Sequence, residues 1–357
     1  MKILGIDIGA ETKDILLYDS EKDAENCIKM VLPSPTLQYA SRIRKVKGDL
    51  SIDGYAIGGG SVAAYLREHI ASGNAVFITE KATFTLYNRL DRVRALGVQV
   101  VDRPPREFRG EHITLDEVNI GQLKLFLTQF DETLNDLDAV AVAVQDHGVP
   151  QKGISQNKFR LLKFKEHFES KPYLQDAVFP DTAVPEQYVR MKSTVESTKR
   201  ILPNTRVFVM DSTIAAIAGC LYDCPESTKL DAVTALNVGN SHVTAAVIAE
   251  DKMLAFMEHH TGALNPDKLN DLLRKLRSGN LTDNEVFQDE GHGVFYLAKP
   301  QLREEDAVLA TGPQRMMAKK SGLRIHIAAP TGDVMMTGAF GLVMSVEKAL
   351  KRGPSCS

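Results

Sequence analysis

The sequence predicts an α/β protein in which one structural unit is present twice. Residues 3–8 (ILGIDI) form a short β-branched run that ends at Gly9, and a second apolar run begins at Ile15, which is the pattern of a hairpin. Residues 232–249 (AVTALNVGNSHVTAAVIA) repeat the layout, so Asp7-Ile8-Gly9 and Asn237-Val238-Gly239 hold the same place in two similar hairpins. Self-similarity over so long a separation points to duplicated domains, not to a solenoid. Strand-to-helix units at 206–222 and 307–345 complete the α/β pattern. A chain of 357 residues that is 43% hydrophobic has the length and apolar content for two cores. The expected division is 1–205 and 206–357, with an insert near 53–102 in the first domain.

The bulk charge excludes several classes of partner. A net charge of −3 supplies no basic field for nucleic acid. The longest apolar runs, such as 139–144 and 245–249, are strand-sized, far short of the roughly 20 residues that span a bilayer. The chain starts directly in a strand, without a charged and then apolar leader. A cytoplasmic protein with no nucleic-acid or membrane partner is expected. Its four cysteines, Cys27, Cys220, Cys224 and Cys356, make no disulfide framework. Cys220 and Cys224 lie one helical turn apart without a third thiolate near them, as small buried helix residues would.

Between the first two strands lies Gly9-Ala10-Glu11-Thr12-Lys13-Asp14. Glycine at the head of the turn permits a backbone conformation that a side chain would block, and successive amides over 9–12 can converge on an anion. Asp7, at the strand end, is placed to hold a hydrated Mg²⁺ facing phosphate oxygens. A plain hairpin with a capping aspartate fits the same residues. The second copy, with Gly239, Asn240 and Ser241, changes the balance, because two such turns facing each other would clamp a polyphosphate.

Residues 138–150 (DAVAVAVQDHGVP) form a buried strand that ends in polar residues. Groups just beyond strand ends in α/β sheets line clefts, which makes Gln145, Asp146 and His147 candidate substrate contacts; a polar loop after a core strand is the alternative. In 206–222 (RVFVMDSTIAAIAGCLY), Asp211 either caps the helix that follows or accepts a proton from a hydroxyl or water attacking a phosphate. Ala215, Ala216, Ala218 and Gly219 give that helix one very small face, suited to close packing at a hinge. Thr311-Gly312-Pro313 ends a strand before a helix, where a glycine turn can pass close to a purine or phosphate or simply connect the two elements.

Three other stretches carry candidate chemistry. Gly58-Gly59-Gly60 lies between a strand and a helix, as an anion site at a helix N-terminus or as a turn packed beneath the helix. Glu258-His259-His260-Thr261-Gly262 and Asp289-Glu290-Gly291-His292-Gly293 bring histidines and carboxylates onto glycine-flanked loops, suited to substrate hydrogen bonding through His260 and His292 or to metal ligation. Adjacent strand residues point to opposite faces, so only one of His259 and His260 can easily join His292. Basic and aromatic residues alternate in KFRLLKFKEHFESKP, which reads as a solvated helix or interdomain cover. The tail KRGPSCS reads as disordered.

In order, these pieces resemble the sugar-kinase branch of the actin/sugar-kinase/heat-shock ATPase superfamily. LGIDIGAETKDILLYD is similar to its first phosphate motif, AVAVQDHGV to its strand ending in glutamine, a variable residue, histidine and glycine, VMDSTIAAIAG to the segment with its catalytic aspartate, and LNVGNSHVTAAV to its second phosphate motif. ATGPQRMMAKKSGL with PTGDVMMTGAFGLV resembles its adenosine motif and closing helix. The resemblance implies two duplicated ribonuclease-H-like domains, each with a mixed sheet, and an interdomain nucleotide cleft for ATP and Mg²⁺. It implies Asp7 on the metal side, Asp211 as catalytic base, and Gly239 and Gly312 (with Thr311) against phosphate and adenosine. The departures are Asn237 where many relatives have aspartate, an adenosine turn without paired glycines, and a short chain. The implied activity is ATP-dependent phosphotransfer to a small-molecule acceptor or ATP hydrolysis; the alternatives are a nucleotide-gated activator of a partner enzyme and a degenerate fold without ATP turnover. A closer resemblance is to a prokaryotic family labelled as an activating enzyme for pyruvate formate-lyase. That label implies a radical-SAM cluster on three closely spaced cysteines, which this sequence does not contain.

Overall fold

A computed structural model describes residues 1–224, 232–300, 302 and 306–352. In chain order its strands are β1 (Lys2–Ile8), β2 (Thr12–Asp19), β3 (Ile28–Pro33), β4 (Leu50–Gly54), β5 (Val76–Ile78), β6 (Gln99–Val100), β7 (Glu111–Leu115), β8 (Ala139–Val144), β9 (Phe179–Pro180), β10 (Arg206–Met210), β11 (Val233–Val238), β12 (His242–Ala249), β13 (Lys252–His260), β14 (Gly293–Tyr296), β15 (Val308–Thr311) and β16 (Ile325–Ile327). They form three sheets, ordered β3-β2-β1-β8-β10-β9, β14-β13-β12-β11-β15-β16 and β6-β5-β4-β7.

The first two sheets share one plan. In each, three consecutive antiparallel strands lie beside two parallel ones, giving the order third, second, first, fourth, fifth. That order is the ribonuclease-H-like topology, present twice as expected. The copies agree down to single hydrogen bonds. Gly9 N donates to Thr12 O at 2.9 Å, and Gly239 N donates to His242 O at 2.9 Å. Ser34 Oγ donates to Gly9 O at 2.9 Å, and Thr261 Oγ1 donates to Gly239 O at 2.8 Å. Each turn is therefore tied by a hydroxyl placed just after the third strand.

Patterning explains the layers. β8 (AVAVAV) is buried throughout, as a parallel strand covered on both faces must be. Its valines pack with Leu4, Ile6 and Ile8 on one side, and its alanines face the helices Ser212–Leu221 and Thr337–Arg352 on the other. Those two helices lie together between the sheets, in a core that draws Ile3 from one and Leu309 from the other. The small face over 215–219 meets Gly341 there. A Cβ on Gly341 would stand 2.2 Å from Ala215 O, and one on Gly219 would stand 2.0 Å from Thr337 O. Gly341→Ala should lower unfolding free energy by about 1–3 kcal/mol through overpacking, read as a lower urea midpoint with an unchanged slope.

Two boundaries differ from expectation. β10 follows the division at 205/206 yet pairs in parallel with β8, so the first sheet continues through Met210. The strand after a parallel crossover belongs to the sheet it rejoins, and a linear cut cannot show that. The insert is wider than 53–102: the parallel sheet β6-β5-β4-β7 runs to Leu115 and has its own core around Ile52, Leu66, Ile78 and Ile113. The alternating stretch forms the helix Gln156–Ser170, which serves as an interdomain cover: Phe164 and Phe168 are buried, and Phe164 packs on Phe256 of the second domain. Residues 353–357 of the tail, with Cys356, lie outside the described residues, while Lys351 and Arg352 end a helix. Among the described residues, no helix is long and apolar enough to cross a membrane.

Candidate functional site

The two turns meet across one cavity of about 600 Å³. Its walls include Asp7, Gly9, Ala10, Glu11 and Thr12 from the first domain and Asn237, Gly239, Asn240, Ser241, Thr311 and Gly312 from the second. Gln145, Asp146 and His147 line it as well, as do Gly58, Gly59 and Gly60. Of the other residues singled out from sequence, Asp211, His260 and His292 stand behind this lining.

The need for glycine at the turns is not the one expected. Neither Gly9 nor Gly239 has a positive φ. Space is what matters at Gly239, where a Cβ would stand 2.9 Å from His242 O. Gly312 does carry φ +96°, and a Cβ there would stand 2.4 Å from Val238 O. Gly58 and Gly59 are equally confined, by Thr36 Oγ1 at 2.7 Å and Thr85 O at 2.2 Å, and Gly58 N donates to Glu117. Gly58 and Gly59 are thus packed tightly while still facing the cavity.

Asp7 sits at the cavity floor, opposite Asp14 in the β1–β2 register. Burial raises the Asp7 pKa to about 7, with the Ser212 hydroxyl working against it, the charge of Asp211 adding to it and that of Arg190 opposing it. Burial, then the Asp7 charge, raises Asp14 to about 8. Oδ1 of each is buried without a hydrogen-bond partner. The Asp7 carboxylate also fills the space a side chain would take at Gly338, 2.0 Å from where a Cβ would lie. From sequence Asp14 is a turn residue without a role; its place on β2, in register with Asp7, marks it.

Arg190 brings positive charge to the same cavity. It is clamped by Glu117 at 2.8 Å, and its Nη1 donates to Gln145 O at 2.9 Å. Asp146 is spent on the backbone: it accepts from Gly148 N and Arg190 N, both at 2.8 Å, and from Met191 N at 3.1 Å. It therefore anchors the start of the helix Val189–Ile201.

Behind the cavity lies a buried ionic network that crosses between domains. Arg160, fully buried, donates to Asp211 Oδ2 at 2.6 Å and Oδ1 at 2.9 Å, and its Nε donates to Glu258 Oε2 at 2.9 Å. Asp211 also caps its helix, accepting from Thr213 N at 3.0 Å. Both oxygens of this expected base are thus held by the guanidinium. Glu258 further accepts from Gln145 Nε2 at 2.9 Å and from His292 Nδ1 at 3.0 Å. Burial pushes the Glu258 pKa up, but the charge of Arg160 and the His292 hydrogen bond hold it well below the usual range. His260 packs on His292 with ring centroids 4.8 Å apart, whereas His259 turns towards Asp289.

Residues 57–317 match the family described as "Putative pyruvate format-lyase activating enzyme (DUF1786)". The chain belongs to this family. The match takes in the Gly58–Gly60 turn, the buried network, the second hairpin turn and Gly312, and leaves out β1 and the first turn. No curated protein matches the chain in sequence. Among solved structures, the chain is similar to the activator of the 2-hydroxyisocaproyl-CoA dehydratase from Clostridium difficile with bound ADPNP, at 9% identity and TM-score 0.36, covering 100% of both chains. It is also similar to an inorganic polyphosphate/ATP-glucomannokinase from Arthrobacter sp. strain KM, at 12% identity and TM-score 0.36, covering 98% of this chain and 99% of that one. The PilM-PilN type IV pilus biogenesis complex gives 12% identity and TM-score 0.41, over 97% and 99%. The duplicated topology, with its cleft between two hairpin turns, is the fold that the resemblance to the actin/sugar-kinase/heat-shock ATPase superfamily implies.

Proposed function

We propose that this protein is an ATP-binding phosphotransferase or ATPase of sugar-kinase-like fold that acts on a small-molecule acceptor. The observation that carries the reading is the pair of turns at 9–12 and 239–242, closed by the same hydrogen bond and lining one cavity. Main-chain amides at such turns hold phosphate oxygens at no reorganisation cost. Gly312 keeps the backbone against Val238 low enough for adenosine to lie over it. A hydrated Mg²⁺ fits beside Asp7, because the buried partnerless oxygens of Asp7 and Asp14 are hard donors awaiting a cation. Bound there, Mg²⁺ would neutralise charge on the phosphates.

The chain's own groups divide the remaining work. Arg190, held rigid by Glu117, attracts phosphate or an anionic acceptor from the first-domain wall. The space beside the Gly58–Gly60 turn and Asn88 receives the acceptor. Asp211 acts as a positioning residue in this reading: it fixes Arg160, and through it Glu258 and Gln145. No step runs through an iron–sulfur cluster, for which the chain lacks three closely spaced cysteines.

Titration calorimetry with Mg-ATP tests the reading, with binding to one site expected. No heat at millimolar nucleotide would remove it and leave the degenerate fold. Gly312→Ala should weaken nucleotide at least about tenfold, since a side chain at positive φ against a carbonyl shifts the turn. ADP release that requires a hydroxylated small molecule supports phosphotransfer; release stimulated only by a partner enzyme supports the nucleotide-gated activator.

A further inference from the structure

We propose that His147, His242 and His292 form a site for one divalent transition-metal ion of the zinc class, at the edge of the cleft where the two domains meet. The three imidazoles come from separate places: His147 follows β8 in the first domain, His242 opens β12, and His292 precedes β14 in the second. One ring nitrogen from each lies within 4.8 Å of the other two. Zinc–nitrogen bonds of about 2.0–2.1 Å at tetrahedral angles set ligand nitrogens about 3.4 Å apart, so side-chain rotations of about 1 Å gather them.

The surroundings are those of a ligand set. His292 is fully buried; its Nδ1 donates to Glu258, and its Nε2 has no hydrogen-bond partner. A carboxylate behind an imidazole fixes its tautomer and raises its basicity towards a metal. Glu258 is itself held by Arg160 and Gln145, so the imidazole has little freedom to turn away. The nearby guanidinium is no barrier to a cation, because Asp211 and Glu258 both offset it.

The three rings lie together, with centroids 6.2 Å (His147–His242), 5.6 Å (His147–His292) and 4.9 Å (His242–His292) apart. His260 stands 4.8 Å from the His292 ring and 5.0 Å from that of His242, within reach of a fourth position. His147 and His242 also line the main cavity, so an ion held by three imidazoles keeps an open position towards whatever binds there. Because His147 belongs to one domain and His242 and His292 to the other, the ion would also tie the domains together. The inference rests on imidazole geometry alone and stands whether or not the cavity takes a nucleotide.

The test is a titration of the chelator-treated full chain with Co²⁺ and then Zn²⁺, without nucleotide. One Co²⁺ per chain is expected, with the visible absorption of a nitrogen-ligated site, displaced by one Zn²⁺. His292→Ala should weaken binding at least about 100-fold and Glu258→Gln about 10–100-fold, while His112→Ala, at an exposed histidine paired with Asp53, leaves it unchanged. If His292→Ala does not fold, His147→Ala carries the comparison. A wild-type protein that shows no Co²⁺ absorption up to about 100 µM metal overturns the proposal. So does binding that persists equally in the His292→Ala and His147→Ala proteins.

Discussion

Arg160→Met should cost about 3–5 kcal/mol of stability, because it strands two buried carboxylates. Asp211 and Glu258 have side-chain exposures of 4% and 0%, and the guanidinium meets both. Methionine keeps much of the packing volume against Phe164, over which the guanidinium now lies at 4.4 Å, so the loss isolates charge from shape. The native pair need not be strongly stabilising for this to hold, since the penalty arises from the uncompensated charges left behind. Burying them as neutral amides in Arg160→Met/Asp211→Asn/Glu258→Gln should recover a large part of the loss. A urea midpoint that barely moves in the single variant, or a triple variant no better than the single, would show that water or rearrangement solvates these groups. The network also sets acid stability. Glu258 has a depressed folded pKa, so its contribution is present above the ordinary carboxylate range and is lost as pH falls through the lower folded value.

Short-range pattern made much of this fold readable. The hairpins announce themselves by alternating apolar runs around a glycine, and their repetition announces the duplication. Facing of the two turns was inferred from that symmetry, and both line one cavity. The Arg160 network was not readable, because its partners lie 51 and 98 residues away and an arginine among lysines on a helix looks solvated. His242 stood inside the quoted phosphate turn without a role, since only the third dimension brings it to His292 and His147. The reach of the insert to Leu115 was hidden for a similar reason: β7 pairs with β4 across some sixty residues, and nothing local marks the partner. Glycine itself misled in one respect. At Gly239 its use is close approach to His242 O, whereas left-handed backbone belongs to Gly312, the weaker of the sequence signals.

Asp7→Asn should separate stability from nucleotide binding in opposite directions. In the metal-free protein, the folded pKa values of Asp7 and Asp14 are raised to about 7 and 8 from 3.8. The folded state therefore holds more protons than the unfolded state between those limits, and stability declines as pH rises from about 4 to about 8. At 1.36 kcal/mol per pKa unit, the rise from 3.8 to about 7 makes the Asp7 share of the decline on the order of 4 kcal/mol. An amide at position 7 carries no charge to bury, so the variant should lose the Asp7 share of the slope and exceed the parent in urea resistance at pH 8. The duplicate shows that the site tolerates this residue: Asn237 holds the matching place at the end of β11, paired with Thr244 as Asp7 is with Asp14. Mg-ATP should bind the variant at least about tenfold more weakly, because the hydrated cation loses a carboxylate that faces it. For the same reason, Mg-ATP binding to the parent near pH 7 should release protons, seen as a dependence of the calorimetric heat on buffer ionisation enthalpy. A variant that is less stable than the parent at pH 8, and binds Mg-ATP as well as the parent does, would make Asp7 a structural hairpin residue with no part in holding the cation.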